Sequence, residues 1–150
     1  MKFGIVLRAE KDIRQVVRKS VEVERSNKID FVWICGRPAD LYSPIVAAQV
    51  ALNTKKIKIG ICFSPILIHP HQISSVVSTL IELYGPRFEV CLLPGDREQL
   101  YQIGVSLSDF KAVPQYLVHA RNEINEELWK KDVNCRVSLG AQGLKMLQVA

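Results

Sequence analysis

The chain has 150 residues, 48% of them hydrophobic and 23% charged, a balance typical of globular protein and unlike disorder. No apolar run approaches the ~20 residues that span a membrane, and the net charge of +5 is spread over scattered Lys and Arg with no dense basic tract for nucleic acid. A single domain over residues 1–150 is expected. The charged residues Arg8, Glu10, Lys11 and Asp12 directly after a short apolar start argue against a signal peptide, so a cytoplasmic location follows by default.

The first strand reads from Lys2 to Leu7, followed by a helix from about Asp12 to Asn27 whose Ile13, Val16, Val17, Val21 and Val23 mostly share one face. Asp30 to Cys35 is a continuous apolar strand of the kind covered on both faces, broken by Gly36, Arg37, Pro38 and Ala39. Ser43-Pro44 supplies an N-cap and a proline at the first helical position of a helix to Asn53. The third strand is Ile57 to Phe63. Pro70 opens a helix with an apolar stripe of Ile73, Val76, Val77, Leu80, Ile81 and Tyr84, ended by Gly85-Pro86. The fourth strand, Phe88 to Leu93, runs into the turn Pro94-Gly95-Asp96, a short helix from Arg97 to Gln102, and a longer helix from Pro114 to about Trp129. Cys135 to Leu139 is the fifth strand, Gly140-Ala141-Gln142-Gly143 a turn, and Leu144 to Val149 the start of a last helix.

Strand–helix alternation of this kind predicts an α/β fold: a partial (half) TIM-type (β/α) barrel of about five parallel strands in sequential order with outer helices. A closed eight-unit barrel takes ~250 residues. The inner face would then carry Phe3, Ile5, Val32, Ile34, Ile59, Ile61, Val90 and Leu92, subject to register. Apolar surface of that extent drives association at ~25 cal/mol per Å². A homo-oligomer covering the open sheet face is therefore expected, most simply a two-fold dimer; a separately encoded polypeptide completing the barrel is the other cover.

Sites in parallel α/β architectures form at the carboxyl ends of strands. The residues there are Arg8, Glu10, Cys35, Gly36, Arg37, Cys62, Phe63, Ser64, Asp96, Gln142 and Gly143. The glycine-bearing turn Gly140–Gly143 before a helix suits phosphate, although many such turns carry glycine only to turn the chain. Arg37 either binds an anion or is solvated. His69 and His71 around Pro70 read as a solvated pair, His119 as structural, and Asp96 as a helix cap. The four cysteines, at 35, 62, 91 and 135, lack CxxC spacing and read as small buried thiols in preference to disulfides or a shared metal site.

Several segments together resemble the luciferase-like flavin/deazaflavin oxidoreductases, and most closely the N-terminal part of the coenzyme F420-dependent methylenetetrahydromethanopterin reductases. They are Met-Lys-Phe-Gly-Ile at 1–5, Asp-Phe-Val-Trp-Ile at 30–34, Ile-Lys-Ile-Gly at 57–60, Pro-Gly-Asp at 94–96, Ile-Gly-Val at 103–105, and Gly-Ala-Gln-Gly with Lys-Met-Leu at 140–147. The resemblance implies a barrel whose strand ends hold a flat cofactor, coenzyme F420 or FMN, for hydride transfer. It implies a bulge, often with a cis non-prolyl peptide, at Cys62-Phe63 behind the ring, and phosphate-side contacts from Gly140, Ala141, Gln142 and Gly143. Cys35, Gly36 and Arg37 complete the implied cofactor set, with a pterin or flavin as small-molecule ligand. The chain departs from the family at Val6, where the reductases carry glutamate, at Gly36-Arg37, where they carry Asp-His, and at Cys62, where the residue is usually smaller. No catalytic residue is assigned. The alternative to an oxidoreductase is a non-catalytic homologue that binds a cofactor, a pterin or a protein.

Overall fold

A computed structural model describes residues 3–10, 12–37, 40–106, 112–141 and 144–148. Strands β1 (Gly4–Arg8), β2 (Phe31–Cys35), β3 (Lys58–Phe63), β4 (Phe88–Leu92) and β5 (Arg136–Leu139) form one parallel sheet in the order β1-β2-β3-β4-β5. The helices are α1 (Ile13–Ser26), α2 (Ser43–Asn53), α3 (Pro70–Tyr84), α4 (Arg97–Gln102), α5 (Val113–Lys130) and α6 (Leu144–Leu147). Each long helix is bounded by local chemistry. Asp12 caps α1 by accepting from the N–H groups of Arg14 and Gln15, and Asn27 ends it in the left-handed region at φ 53°. Gly85, at φ 85°, ends α3. The expected serine cap of α2 is shifted by one residue: Tyr42 stands at the cap without a side-chain bond and Ser43 is the first helical residue.

The register decides which side chains share a face. Ile5, Val32, Ile59 and Phe88 lie in one lateral row, and Leu7, Ile34, Ile61, Val90 and Val137 in another, on the face that packs against the helices. Val32, Ile34, Ile59, Ile61, Val90 and Leu92 are fully buried there with Val46, Ile73, Leu117 and Ile124. This corrects the inner-face assignment: Ile5 and those six residues lie beneath the helices, and Phe3 stays half exposed. The opposite face is mixed. It carries Val6, Trp33, Gly60, Glu89 and Arg136 in one row, and Arg8 with Cys35, and Cys62 with Cys91 and Ser138, in the next. Trp33 lies flat across Gly60, where any Cβ would fall inside the indole ring. Phe31 stacks near Trp33 with ring centres 6.3 Å apart, and Lys58 pairs with Glu89 at 3.5 Å. Only β2 reads as a continuous apolar run; Lys58 and Gly60 on β3, Glu89 on β4, and Arg136 and Ser138 on β5 mark the opposite parity, but alternation does not say on which side of the sheet the helices lie.

Two polar knots close the amino-terminal end of the sheet. The Glu24 carboxylate accepts the N–H groups of Lys55, Lys56 and Ile57 at 2.8, 2.6 and 2.9 Å. Partial burial works against its charge, but these three bonds, helped by Arg87, hold the carboxyl below its ordinary value. The Arg87 guanidinium donates to the Ala51 and Thr54 carbonyls and to the Thr54 hydroxyl, satisfying the orphan carbonyls at the end of α2.

Candidate functional site

At the other end, the loops after β2, β3, β4 and β5 enclose a cavity of about 660 Å³. Small-molecule sites typically run from roughly 300 to 1,000 Å³. Gly36 and Arg37 follow β2, Cys62, Phe63 and Ser64 end β3, Leu93 to Asp96 follow β4, and Gly140 follows β5. Tyr42, Ser43 and Pro44 bring the first turn of α2 to the cavity, a turn without acidic residues. The exposed Arg37 and the positive end of the α2 dipole favour an anionic ligand group.

The walls are fixed by short bonds. Arg37 N–H donates to Asp40 Oδ2 at 2.8 Å while Asp40 N–H donates to the Arg37 carbonyl at 2.9 Å, closing a tight turn. Ser64 Oγ donates to the Pro94 carbonyl at 3.1 Å, tying the β3 and β4 loops together. Two glycines keep the wall thin. A Cβ on Gly36 would stand 2.8 Å from Ser43 Oγ and 3.2 Å from the Leu41 carbonyl, and one on Gly140 would collide with Leu93. Phe63, Ile68, Leu93 and Met146 supply apolar lining that excludes water.

Of the residues named from sequence, Gly36, Arg37, Cys62, Phe63, Ser64, Asp96 and Gly140 line the cavity. Cys35 lies next to it, and Ala141 packs against the core. Gln142 and Gly143 lie outside the described residues. The implied bulge at Cys62-Phe63 is corrected. The β3–β4 ladder pairs Cys62 with Cys91 and Phe63 with Leu92 without interruption, Leu93 N–H donates to the Phe63 carbonyl at 2.9 Å, and among the described residues no peptide is cis. A regular ladder already satisfies this backbone, so nothing locally enforces a bulge. Arg8 and Glu10 pair with each other at 2.8 Å and, like Val6, are not part of the cavity lining. His69 and His71 are exposed, as read; His69 Nδ1 accepts the His71 N–H at 3.3 Å and so caps α3. His119 sits exposed on α5, 3.7 Å from Glu123.

The cysteine reading is corrected in part. The sulfurs of Cys35 and Cys62 are brought into contact, while Cys91 and Cys135 have no such partner among the described residues and are only half buried. Burial raises the Cys91 thiol, and burial with the neighbouring Glu89 charge pushes Cys135 up to about 12, so both stay protonated at neutral pH. Among the described residues no group of three metal-ligating side chains occurs, and no helix is long and apolar enough to cross a membrane. The lining residues missed from sequence include Asp40, Leu41, Tyr42, Ile68, Ile103 and Met146. The Asp-Leu-Tyr-Ser-Pro run leading into the first turn of α2 was the available signal, because a helix start after a strand end faces the site.

No family model matches the chain. Its fold is shared with solved oxidoreductases. A coenzyme F420-dependent tetrahydromethanopterin reductase from Methanopyrus kandleri superposes with a TM-score of 0.72 at 21% identity, over 99% of this chain and 52% of its own. EDTA monooxygenase from Chelativorans sp. BNC1 gives 0.70 at 13% identity, over 84% of this chain and 36% of its own. A long-chain alkane monooxygenase gives 0.59 at 12% identity, over 81% and 38%. The chain spans about half the length of the reductase and less of the monooxygenases. Its five-stranded sheet and helices therefore have the fold of about half of a luciferase-like (β/α) barrel, with an F420-dependent reductase and monooxygenases as structural neighbours, in agreement with the resemblance carried by its sequence motifs.

Proposed function

We propose that the chain binds the ring of a deazaflavin or flavin, coenzyme F420 or FMN, in the cavity at the strand ends, as a shortened oxidoreductase that transfers hydride to or from a small pterin-class substrate. The carrying observation is the cavity itself. It is large enough for a tricyclic ring, it lies where parallel sheets bind ligands, and it is walled by apolar side chains with thin backbone at Gly36 and Gly140. Such a cofactor supplies two-electron hydride chemistry when bound. The chain's own part is to exclude water with Phe63, Ile68 and Leu93, and to attract the anionic tail with Arg37 and the start of α2.

A second reading, a non-catalytic cofactor-, pterin- or protein-binding homologue, has its own support. Val6 stands where the resembled reductases carry glutamate, and it is 62% exposed and outside the cavity lining. Gly36 brings no proton-transferring group. The carboxylates among the described lining residues are Asp40 and Asp96, and Asp40 already accepts the Arg37 N–H.

Titration of the purified chain with F420 and with FMN, followed by absorbance and fluorescence, tests binding: saturable one-to-one change supports the proposal and unchanged spectra of both overturn it. Oxidation of bound reduced F420 on adding a methylene-pterin supports the enzyme; an inert complex supports the second reading. The same proposal includes a second copy against the open face, where Val6, Phe31 and Trp33 lie beside charges of both signs. A monomer by light scattering at micromolar concentration removes that part alone.

A further inference from the structure

We propose that Cys35 and Cys62 form a reversible dithiol–disulfide couple in the wall of the cavity, exchanging electrons with small-molecule thiols and disulfides that enter through it. The two residues end adjacent parallel strands, one place beyond the paired Ile34 and Ile61, with their Cα atoms 5.1 Å apart and their sulfurs facing each other. That Cα spacing falls within the range that a disulfide bridges without moving backbone. The ladder holds both strands at this level from outside the pair. Ala9 N–H donates to the Cys35 carbonyl, and Leu93 N–H to the Phe63 carbonyl next to Cys62, both at 2.9 Å. The reduced pair therefore keeps the same neighbours as the bonded one.

All four cysteines are half buried, and lateral position separates this pair from the other two: Cys35 and Cys62 face each other across adjacent strand ends, and Cys62 lines the cavity. Cys91, in register with Cys62 on its other side, is kept protonated by burial and is the weaker nucleophile. Cys135 is held against the Phe88 carbonyl. On β1, in register with Cys35, stands Arg8, whose guanidinium pairs with Glu10 at 2.8 Å.

The exchange balances without a further reagent. A Cys62 thiolate attacks one sulfur of a small-molecule disulfide, breaking its S–S bond and releasing one thiolate. The Cys35 thiolate then attacks the Cys62 sulfur of the mixed disulfide and releases the second. Two protein thiols become one disulfide, two electrons pass to the small molecule, and the two thiol protons go to the two departing thiolates. The couple does not depend on cofactor binding.

The test equilibrates the full chain in glutathione buffers from fully reduced to fully oxidised, quenches with acid, alkylates, and maps the peptides by mass spectrometry. The expected result is a reversible loss of two alkylation sites with a crosslink between the peptides holding Cys35 and Cys62. Cys91→Ser should leave this unchanged. Cys35→Ser should instead accumulate glutathione on Cys62. Four alkylated cysteines in every buffer, a crosslink from Cys62 to Cys91, or a crosslink that excess reduced glutathione fails to open would each overturn the proposal; the wild-type map decides even if a variant does not fold.

Discussion

The two ends of the sheet are built to opposite rules. At the amino-terminal end, two charged groups that reach across elements are spent on backbone: Glu24 on three N–H groups before β3, Arg87 on the carbonyls that end α2. At the carboxyl end, the loops enclose a cavity of about 660 Å³, Arg37 stays exposed, and thin glycine walls replace side chains. Parallel sheets make this division natural, because strand ends of one polarity present loops that can vary while the other end locks the strands together. Stability and binding are therefore expected to separate by end.

Arg87→Met should give the largest loss of stability, about 3 kcal/mol in urea unfolding, since several carbonyls and the Thr54 hydroxyl lose their donor at once. Cofactor titration of the folded fraction should be unchanged; a tenfold weaker affinity would erase the separation. Glu24→Gln should cost about 2 kcal/mol at neutral pH, the value of charge-assisted bonds to backbone. The sign with pH follows from the lowered carboxyl. Its contribution is complete above the ordinary value of 4.5 and drains away as pH falls through the folded value, so wild type and variant should converge in acid. Parallel stability curves down to the lowest pH would show the charge to be irrelevant.

At the cavity end the expected costs are smaller. Gly36→Ala should destabilise by about 1 kcal/mol, because Ser43 Oγ can rotate away but the Leu41 carbonyl must yield a few tenths of an ångström. Arg37→Glu should change stability by less than about 0.5 kcal/mol, since its backbone N–H keeps the Asp40 bond, yet weaken F420 or FMN binding by about tenfold. Unaltered affinity in Arg37→Glu would assign that side chain to solvent and leave the α2 start as the attraction for the anionic tail.

Much of this fold was legible in the chain. The α3 bounds, Pro70 to Tyr84, follow from proline at one end and glycine at the other, and the short α4 from Arg97 to Gln102 follows the Pro-Gly-Asp turn. The span of α1 was read from about Asp12 to Asn27, the two residues that cap it. The site was half legible. Gly36, Arg37, Cys62, Phe63 and Gly140, named from the strand ends, line the cavity because strand ends announce themselves. Leu41, Ile103 and Met146 were missed because they reach the cavity from loops and helices that only packing brings over the sheet. The Cys35–Cys62 pairing was also missed: spacing along the chain says nothing of lateral register.

By itself, the sequence determined the alternation of strand and helix, and with it a parallel sheet with sites at one end, because hydrophobic period and turn residues are local properties. Tertiary structure alone decided which face of each strand the helices cover. Phe31-Val-Trp-Ile-Cys is apolar at both parities, so either face could have been buried. The choice fell to the fit of Val32 and Ile34 beneath the helices, with Trp33 laid over Gly60 on the other side. That outcome turned the expected apolar inner face into a mixed surface of tryptophan, thiols and paired charges, since a side chain's surroundings are set by neighbours distant in sequence.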